Sequence, residues 1–267
     1  MKKFFSILMS IIAVTGIIFA GQITITGSTT VFPIAQNAAE VFMNANPEIN
    51  ISLRGGGSGT GIAALINGQA DIANASRPMK TKEMKLAREN GINVVENIVA
   101  RDGLAIVVNP SNGIDEITLE TMKKIYNGEI SNWKDLGGES MPIVVISRDY
   151  SSGTFEVFKK LVLKGAKVSD NSLLLASNKA VQTTVADTPG AIGYVGLGYL
   201  DETVKALKLE GVLPSIETVK NETYKLARPL FMYTNGQPSG DLGQFMEFIF
   251  SQQGQTIVEE VGYIPLN

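Results

Sequence analysis

Short apolar runs alternate along the chain with longer segments whose apolar residues recur every three or four positions. The runs ITITG, INISLRG and MPIVVISR predict strands at residues 23–27, 49–55 and 141–148. The segment that follows each run has helical periodicity, at residues 31–44, 59–68 and 153–165. This alternation is typical of α/β proteins, in which helices cover parallel strands.

The predicted helices each have one apolar face. Pro33 suits the first turn of the first helix, because its missing N–H has no partner there. The residues that share a face are Ile34, Ala35, Ala38, Val41 and Phe42 in this helix, and Phe155, Phe158, Leu161 and Val162 in the third.

The first twenty residues have the layout of a signal peptide. Lys2 and Lys3 precede an apolar stretch that ends at Ala20, which predicts a signal peptide over residues 1–20. The alternative is an uncleaved membrane anchor, because Ile18 is bulky for its position three residues before the cut. The chain has no cysteine that could carry a lipid anchor. We therefore expect the mature protein to be free in the periplasm.

Composition narrows the classes of function. The 267 residues, 44% of them apolar, suffice for one large core or two modest ones. The formal net charge is −3, and removal of two lysines with the signal peptide makes it more negative, which disfavours a nucleic-acid partner. The chain has no histidine, so it lacks a Ser-His-Asp triad and the commonest zinc ligand. We expect no enzymatic activity, no cofactor and no metal.

Three junctions between a predicted strand and a predicted helix carry hydroxyl groups and glycines. They are Ser28, Thr29 and Thr30; Gly57, Ser58, Gly59 and Thr60; and Ser151, Ser152, Gly153 and Thr154. Helix capping alone explains any one of them, since serine and threonine are common N-caps. However, one hydroxyl suffices for a cap, and all three junctions have more. Free N–H groups and hydroxyls at the positive end of a helix form an anion site without a formal charge.

The glycine-rich run at residues 55–61 differs from the nucleotide-binding loops. A P-loop requires a lysine and then a serine or threonine after its second glycine, but Ile62 and Ala63 follow here. A dinucleotide fingerprint requires a ribose-binding acid about twenty residues later. Residues 79–83 at that distance are a helix start rich in lysine and threonine. The pattern favours a free anion over a nucleotide.

Two arginines are candidates to bind that anion. Arg148 lies four residues before Ser152, at the end of an apolar strand, so its guanidinium can reach an anion at the third turn. The alternative is a surface ion pair with Asp149. Arg77 either adds a second positive charge or is a surface residue at a strand end.

Six motifs together resemble one known family. The segments TGSTTVFPIA, GGGSGTGI, ADIANASRP, IYNGEISNW, SRDYSSGTF and PGAIGYV resemble, in order and spacing, the periplasmic phosphate-binding component of the bacterial phosphate ABC transporter. The match extends from about residue 23 to the C-terminus.

The resemblance implies a type II periplasmic binding protein fold, with two lobes that each contain a sheet covered by helices. It implies that a dehydrated phosphate binds in the interdomain cleft of a monomer, which delivers it to a membrane ABC permease. The ligand contacts that it implies are the segment 28–32 with Ser28, Thr29 and Thr30, then Ser58, Ser76, Arg148, Ser152, Gly153 and Thr154.

The sequence departs from the family pattern at Ser76. Some members have an aspartate there, which accepts a hydrogen bond from the proton of phosphate. A buried acceptor of this kind favours phosphate over sulfate, because sulfate would leave it unpaired. We expect Asp149 to supply the missing acceptor or, failing that, to tune Arg148. We expect Arg77 to add charge to the same site.

Two extended apolar segments, 101–113 and 225–236, are the candidate crossings between lobes. They place lobe one at residues 21–105 plus 230–267 and lobe two at 106–229. The segments IYNGEISNW and PGAIGYV are expected to serve packing in lobe two. Three alternatives stay open: a binding protein for sulfate or molybdate, an exported phosphatase, and a sensor that binds phosphate without delivering it.

Overall fold

A computed structural model describes residues 21–266 of the chain. The predicted signal peptide, residues 1–20, lies outside the described residues. Within the described range, no helix has both the length and the apolar character needed to cross a membrane.

The helices and strands alternate along most of the chain. The first seven elements are β1 (Gly21–Gly27), α1 (Phe32–Ala45), β2 (Ile49–Gly55), α2 (Ser58–Ile66), β3 (Ile72–Ala75), α3 (Thr81–Glu89) and β4 (Val94–Val108). The middle of the chain contributes β5 (Glu116–Ile117), α4 (Leu119–Tyr126), β6 (Val144–Arg148), α5 (Gly153–Leu161), β7 (Leu173–Leu175), α6 (Asn178–Asp187), β8 (Ala191–Gly196), β9 (Lys205–Ala206), β10 (Lys208–Leu209) and α7 (Ile216–Lys220). The last elements are β11 (Ala227–Asn235), α8 (Gly240–Phe250) and α9 (Gln252–Glu260).

One long strand joins two sheets into a continuous surface. The strand order is β2-β1-β3-β11-β4-β8-β6-β7, and β9 also pairs with β4. The first part of β4 pairs with β11, up to the partners Gly103 and Ala227, and its second part pairs with β8 from Leu104 onward. Below, lobe one denotes β1, β2, β3, β11 and the first part of β4 with their helices. Lobe two denotes the second part of β4, β6, β7 and β8 with theirs.

Each lobe has apolar cores on both faces of its sheet. In lobe one, α1, α8 and α9 cover one face with Ile34, Phe42 and Phe245 in the core, and α2 and α3 cover the other. In lobe two, the larger core contains Trp133, Phe158 and Tyr194, and α6 covers the opposite face. Burial on both faces is typical of sheets that helices sandwich.

The elements predicted from periodicity are present in the structure. The strands predicted at 23–27, 49–55 and 141–148 correspond to β1, β2 and β6, and the three helices to α1, α2 and α5. β1 is parallel to β2 and β3, but β11 is antiparallel to both of its neighbours and β4 is antiparallel to β8. The strands predicted from the three runs, β1, β2 and β6, therefore have parallel neighbours as expected, and the antiparallel strands lie in the middle of the sheet, where the chain passes between the lobes.

The predicted crossing segments coincide with these antiparallel strands. β4 covers residues 101–108 of the first segment, and β11 begins at Ala227 in the second. The lobe boundaries at 105/106 and 229/230 stay a prediction, since both strands run without interruption across them. The two-lobed α/β architecture itself is confirmed.

Candidate functional site

The carboxyl ends of strands from both lobes meet where the lobes touch. β1 leads into Ser28–Thr30 and β3 into Ser76, while in lobe two β6 ends at Arg148 and β7 precedes Asn178. Ligand sites of open α/β sheets lie at such strand ends. We call this contact the seam; it comprises residues 28–30, 56–59 and 76 of lobe one and residues 148–154 and 178 of lobe two.

The predicted turns contact each other directly across the seam. Thr30 Oγ1 lies 3.0 Å from Thr154 Oγ1. Gly153 packs so closely against lobe one that a Cβ at this position would lie 2.8 Å from Ser76 Oγ and would clash with Ser58 Oγ. The structure thus brings the first and third turns together with Ser58 and Ser76, in a closed arrangement of the two lobes.

Helix capping accounts for only one of the three hydroxyl turns. Ser152 Oγ accepts from Phe155 N and caps α5, whereas α1 and α2 begin without a side-chain cap. Ser58 Oγ instead accepts from Ser76 N at 2.9 Å, and Ser28 Oγ accepts from Thr30 N at 3.2 Å. Ser28, Ser58 and Ser76 are all buried, which leaves their hydroxyls inside the seam rather than at a solvated helix end.

Arg148 is a buried cation without an acidic partner among the described residues. Its side chain is 1% exposed, its Nε donates to Leu175 O at 3.0 Å, and its Nη2 donates to Ala176 O at 2.8 Å. Its Nη1 is buried without a partner. Burial lowers the pKa of the guanidinium, but arginine remains charged. The expected alternative, a surface ion pair with Asp149, is wrong, because Arg148 is buried and makes no such pair.

Arg77 lies on the other side of the seam and is neutralised. Its Nη1 and Nη2 each donate to Glu83 at 2.8 Å, and its Nε is buried without a partner. Arg77 is not the surface residue of one sequence interpretation, because it is only 6% exposed. The other interpretation, a further positive charge for the anion, holds only in part, because Glu83 pairs with this charge through two hydrogen bonds.

Asp149 bonds to the turn that follows it. Its Oδ1 accepts from Ser151 N at 2.8 Å and from Ser151 Oγ at 2.5 Å. Ser151 in turn reaches across the seam, since its Oγ lies 2.9 Å from Gly56 O and its carbonyl accepts from Gly59 N at 2.9 Å. Asp149 therefore supports an interlobe contact. Its charge also raises the pKa of Arg148, against the larger effect of burial.

The sequence interpretation missed Asn178, the first residue of α6. This fully buried residue of lobe two donates from Nδ2 to Thr29 Oγ1 at 3.1 Å and to Thr30 Oγ1 at 3.0 Å. Ser177, the N-cap of α6, follows the short strand β7, so the pair forms a fourth polar turn between a strand and a helix. The same rule that selected the other three turns could have found it.

A buried ion pair between the two crossing strands was also missed. Arg228 of β11 donates from Nη2 to Asp102 Oδ2 of β4 at 2.7 Å and from Nη2 to Thr30 Oγ1 at 3.3 Å. Burial raises the pKa of Asp102, and the Arg228 charge opposes that effect. The sequence offered an indication of this pair, because Asp102 and Arg228 are charged residues inside the two apolar crossing segments.

Two further contacts join the lobes. Tyr199 OH of lobe two donates to Thr29 O at 2.6 Å, and burial raises the pKa of this phenol to about 12. At the outer edge of the seam, Lys80 Nζ lies 2.7 Å from Glu156 Oε1, and about a third of each side chain is exposed.

The cluster as a whole suits a small anion with several acceptor atoms. Arg148 supplies one uncompensated positive charge, Ser28, Ser58, Ser76 and Ser152 supply buried hydroxyls, and α2, α5 and α6 begin at the seam. Arg148 combines an unpaired Nη1 with a charge that no carboxylate compensates, so a ligand anion beside it would satisfy both.

Comparisons with known proteins agree with this chemistry. Residues 19–253 match the model of the PBP superfamily domain. The phosphate-binding protein PstS of Bacillus subtilis is 38% identical over 249 residues, which cover 92% of this chain and 81% of that protein. The phosphate-binding protein PstS of Borreliella burgdorferi is 34% identical over 256 residues, which cover 91% and 90%.

Solved structures show the same fold. A putative phosphate ABC transporter substrate-binding protein from Clostridium perfringens, solved with bound phosphate, superposes with a TM-score of 0.85 at 34% identity and covers 92% of this chain and 100% of that chain. An ABC-type phosphate transport receptor from Vibrio cholerae has a TM-score of 0.73 at 34% identity, over 91% and 99%. The chain therefore belongs to the PstS family of phosphate-binding proteins, within the PBP superfamily.

Proposed function

We propose that this protein binds inorganic phosphate at the seam and delivers it to a membrane ABC permease for uptake. The relatives of similar length are phosphate-binding proteins, and their structural counterparts are substrate-binding proteins of phosphate transporters. The observation that carries the proposal is Arg148, a buried and uncompensated cation with an unpaired N–H among hydroxyls from both lobes.

The proposed ligand contacts are those expected from the resemblance. The residues are Ser28, Thr29, Thr30, Ser58, Ser76, Arg148, Ser152, Gly153 and Thr154. Support comes from their common placement at the seam. Charge-assisted hydrogen bonds contribute roughly 1.5–3 kcal/mol each, so several donors offset the cost of desolvating the anion. A micromolar dissociation constant or better, about 8 kcal/mol, is within reach.

For Asp149 and Arg77 we propose supporting roles, that of Arg77 being to stabilise lobe one through its ion pair with Glu83. Asp149 holds Ser151 and stabilises the charge of Arg148, which corresponds to the second of the two roles expected for it. If Asp149 accepted the phosphate proton instead, Asp149→Asn would lower the ratio of phosphate affinity to sulfate affinity. We expect this ratio to stay unchanged, with a moderate loss of affinity for both anions.

The proposal is tested by thermal unfolding of the mature protein, refolded free of ligand, with phosphate, sulfate, molybdate and a phosphate ester. Ligand at about a thousand times its dissociation constant adds roughly 4 kcal/mol of stability, which raises the unfolding temperature by several degrees. A shift with phosphate alone supports the proposal. If none of these anions raised the unfolding temperature, the proposal would be refuted.

One observation favours a second tetrahedral oxyanion, such as sulfate or molybdate, as the alternative ligand. Two carboxylates of this region already have partners, which leaves neither free to accept the proton of phosphate: Asp102 accepts from Arg228 and Leu197 N, and Asp149 accepts from Ser151. A shift with sulfate or molybdate and none with phosphate would establish this alternative.

Further properties belong to the same proposal. The protein acts as a periplasmic monomer without a nucleic-acid partner, and it binds phosphate without catalysing a reaction. Its lack of histidine and cysteine supports the last point, since a phosphatase then lacks the usual nucleophiles. Turnover of the phosphate ester would contradict it.

A further inference from the structure

Hydrogen bonds with neighbouring groups fix the orientation of the Asn178 side-chain amide. Gly196 N donates to Asn178 Oδ1 at 3.3 Å, and a backbone N–H can act only as a donor. The amide oxygen of Asn178 therefore faces Gly196, and its two amide protons face Thr29 Oγ1 and Thr30 Oγ1. Because Asn178 belongs to lobe two and the threonines to lobe one, these bonds form across the seam.

The hydroxyl of Thr29 is left as a donor. A hydroxyl has one proton and accepts two hydrogen bonds. Thr29 Oγ1 accepts from Asn178 N at 3.3 Å and from Asn178 Nδ2 at 3.1 Å, so both of its acceptor positions are used. Its proton has no acceptor among the described residues, although Thr29 is buried.

The hydrogen bonds of Thr30 also fix the hydroxyl of Thr154 as a donor. Thr30 Oγ1 accepts from Asn178 Nδ2 and from Arg228 Nη2, so its own proton must go to Thr154 Oγ1, 3.0 Å away. Thr154 then acts as the acceptor in this pair and keeps its proton for another group. The described residues provide no acceptor for it, and Thr154 is 1% exposed.

We propose that Asn178 is a positioning residue that fixes Thr29 and Thr154 as hydrogen-bond donors to the bound anion, and so selects anion oxygens that carry no proton. This inference rests on the proposed function, since phosphate supplies the acceptors. The doubly charged form of phosphate has more unprotonated oxygens than the singly charged form, so Asn178 favours the doubly charged form. Asn178 acts through the threonines and itself needs no contact with the ligand.

The effect is measurable through pH because the ligand titrates near neutrality. The chain has no histidine or cysteine, whose ordinary pKa values lie closest to neutrality. The ionisable groups around the threonines are Arg228, which donates to Thr30 Oγ1, its partner Asp102, and Tyr199, which donates to Thr29 O; Arg148 lies in the same seam at the end of β6. Burial raises the pKa of Asp102, but this group is present in wild type and in the uncharged Asn178→Ala variant alike, so the pH comparison is made between these two.

The experiment is calorimetric titration of phosphate in mildly acidic and mildly alkaline buffer, with wild type, Asn178→Ala and Asn178→Asp. In Asn178→Ala the threonine hydroxyls regain the freedom to accept a proton from phosphate. We expect about tenfold weaker binding in alkaline buffer and a smaller loss in acidic buffer, so the ratio of the two affinities falls at least about threefold. Asn178→Asp draws the threonine protons to its own carboxylate and adds a like charge, so its alkaline affinity falls by about 10²-fold or more.

Asn109→Ala is the matched control, because Asn109 binds the other end of the same helix. Its Nδ2 donates to Val185 O at 3.2 Å and to Ala186 O at 2.7 Å, at the C-terminus of α6. We expect this variant to unfold at a lower temperature and to keep the wild-type ratio of affinities. If Asn178→Asp fails to fold, Asn178→Ser, which offers a single hydroxyl in place of two amide protons, provides the second comparison.

The outcomes separate this inference from the proposed function. Equal losses of affinity in both buffers for Asn178→Ala, or alkaline binding by Asn178→Asp as tight as that of wild type, would overturn the role of Asn178 alone. Failure of the wild type to bind phosphate in either buffer would refute the proposed function, and this inference with it.

Discussion

Arg77 and Arg148 lie on opposite sides of the seam, and their surroundings differ in one respect that matters for binding. Both side chains are buried, and each has one nitrogen without a partner. Arg77 is paired twice with Glu83, whereas Arg148 donates only to the backbone carbonyls of Leu175 and Ala176. Burial of a charge beside neutral groups is costly, so the protein keeps Arg148 where a ligand can compensate it.

Burial and an unpaired N–H therefore do not by themselves identify an anion-binding arginine. The presence of a carboxylate partner decides whether the positive charge is available to a ligand. Four variants test this distinction, in order of decreasing effect on phosphate affinity.

Removal of the uncompensated charge has the largest expected effect. Arg148→Met removes both the charge and the unpaired N–H, and we expect phosphate affinity to fall by on the order of 10³-fold, or about 4 kcal/mol. The measurement is calorimetric titration, with Arg101→Met, at a partly exposed arginine outside the seam, as the matched control. Retention of more than a tenth of the wild-type affinity would contradict the assignment of Arg148.

Closure of the lobes around this charge depends on Gly153. In Gly153→Ala the new Cβ meets Ser76 Oγ at 2.8 Å and clashes with Ser58, so lobe two cannot approach lobe one as closely. We expect phosphate affinity to fall by about 10²-fold, or roughly 3 kcal/mol, while the folded lobes are retained. Gly113→Ala is the control, since no atom lies within 4 Å of its Cβ position. Equal affinities for the two variants would argue against binding in the closed form.

Arg77 is expected to affect stability more than binding. Arg77→Met leaves Glu83 without its bidentate partner, so we expect a loss of roughly 2 kcal/mol in the free energy of unfolding and a loss of less than about tenfold in phosphate affinity. Chemical denaturation and titration measure the two quantities separately. A larger effect on affinity than that of Arg148→Met would reverse the comparison.

The pH dependence of stability provides a further check on the Arg77 variant. Burial alone raises the pKa of Glu83, but Arg77, Lys80 N–H and the neighbouring charges together place it below its ordinary value of 4.5. The pKa of Glu83 is thus lower in the folded state than in the unfolded state. The carboxylate therefore stabilises the fold at pH values above its unfolded-state pKa, and this contribution is lost as the pH falls through its folded-state pKa. We therefore expect the Arg77→Met variant to lose less stability than wild type between neutral and acidic pH.

The ion pair at the outer edge of the seam is expected to have the smallest effect. Lys80 and Glu156 join the lobes, but both are partly exposed, and such pairs contribute about 1 kcal/mol or less. Lys80→Gln should lower phosphate affinity by a fewfold in dilute buffer, and high salt should remove the difference. Lys124→Gln, which breaks the pair with Glu120 inside α4, is the control. A loss that persists in high salt would require another role for Lys80.

The sequence was sufficient for the regular elements and for three of the polar turns. Local periodicity identified β1, β2, β6 and the helices that follow them, and hydroxyls beyond the need of capping marked the turns at Ser28, Ser58 and Ser152. The partners of each arginine depend on contacts between distant segments. Glu83 is six residues from Arg77 but adjacent only because of the turn between them, and Arg228 meets Asp102 only through strand pairing.

The direction of the crossing strands and Asn178 were missed for related reasons. Periodicity shows that β4 and β11 are strands but carries no information about which strands they pair with. Asn178 follows a strand of only three residues, which is too short to stand out as a periodic run. Its role depends on Thr29 and Thr30, which lie about 150 positions earlier in the chain.

The position of β11 has a consequence for the order in which the molecule can be assembled. In lobe one, β11 lies between β3 and β4, so that half of the sheet stays divided until residues 227–235 have been synthesised. Most of lobe two lies on one continuous stretch of chain and can form while the ribosome is still producing the rest. The N-terminal half of lobe one pairs with strands made last, and because pairing over so great a sequence distance is slow, we expect lobe one to be completed after lobe two.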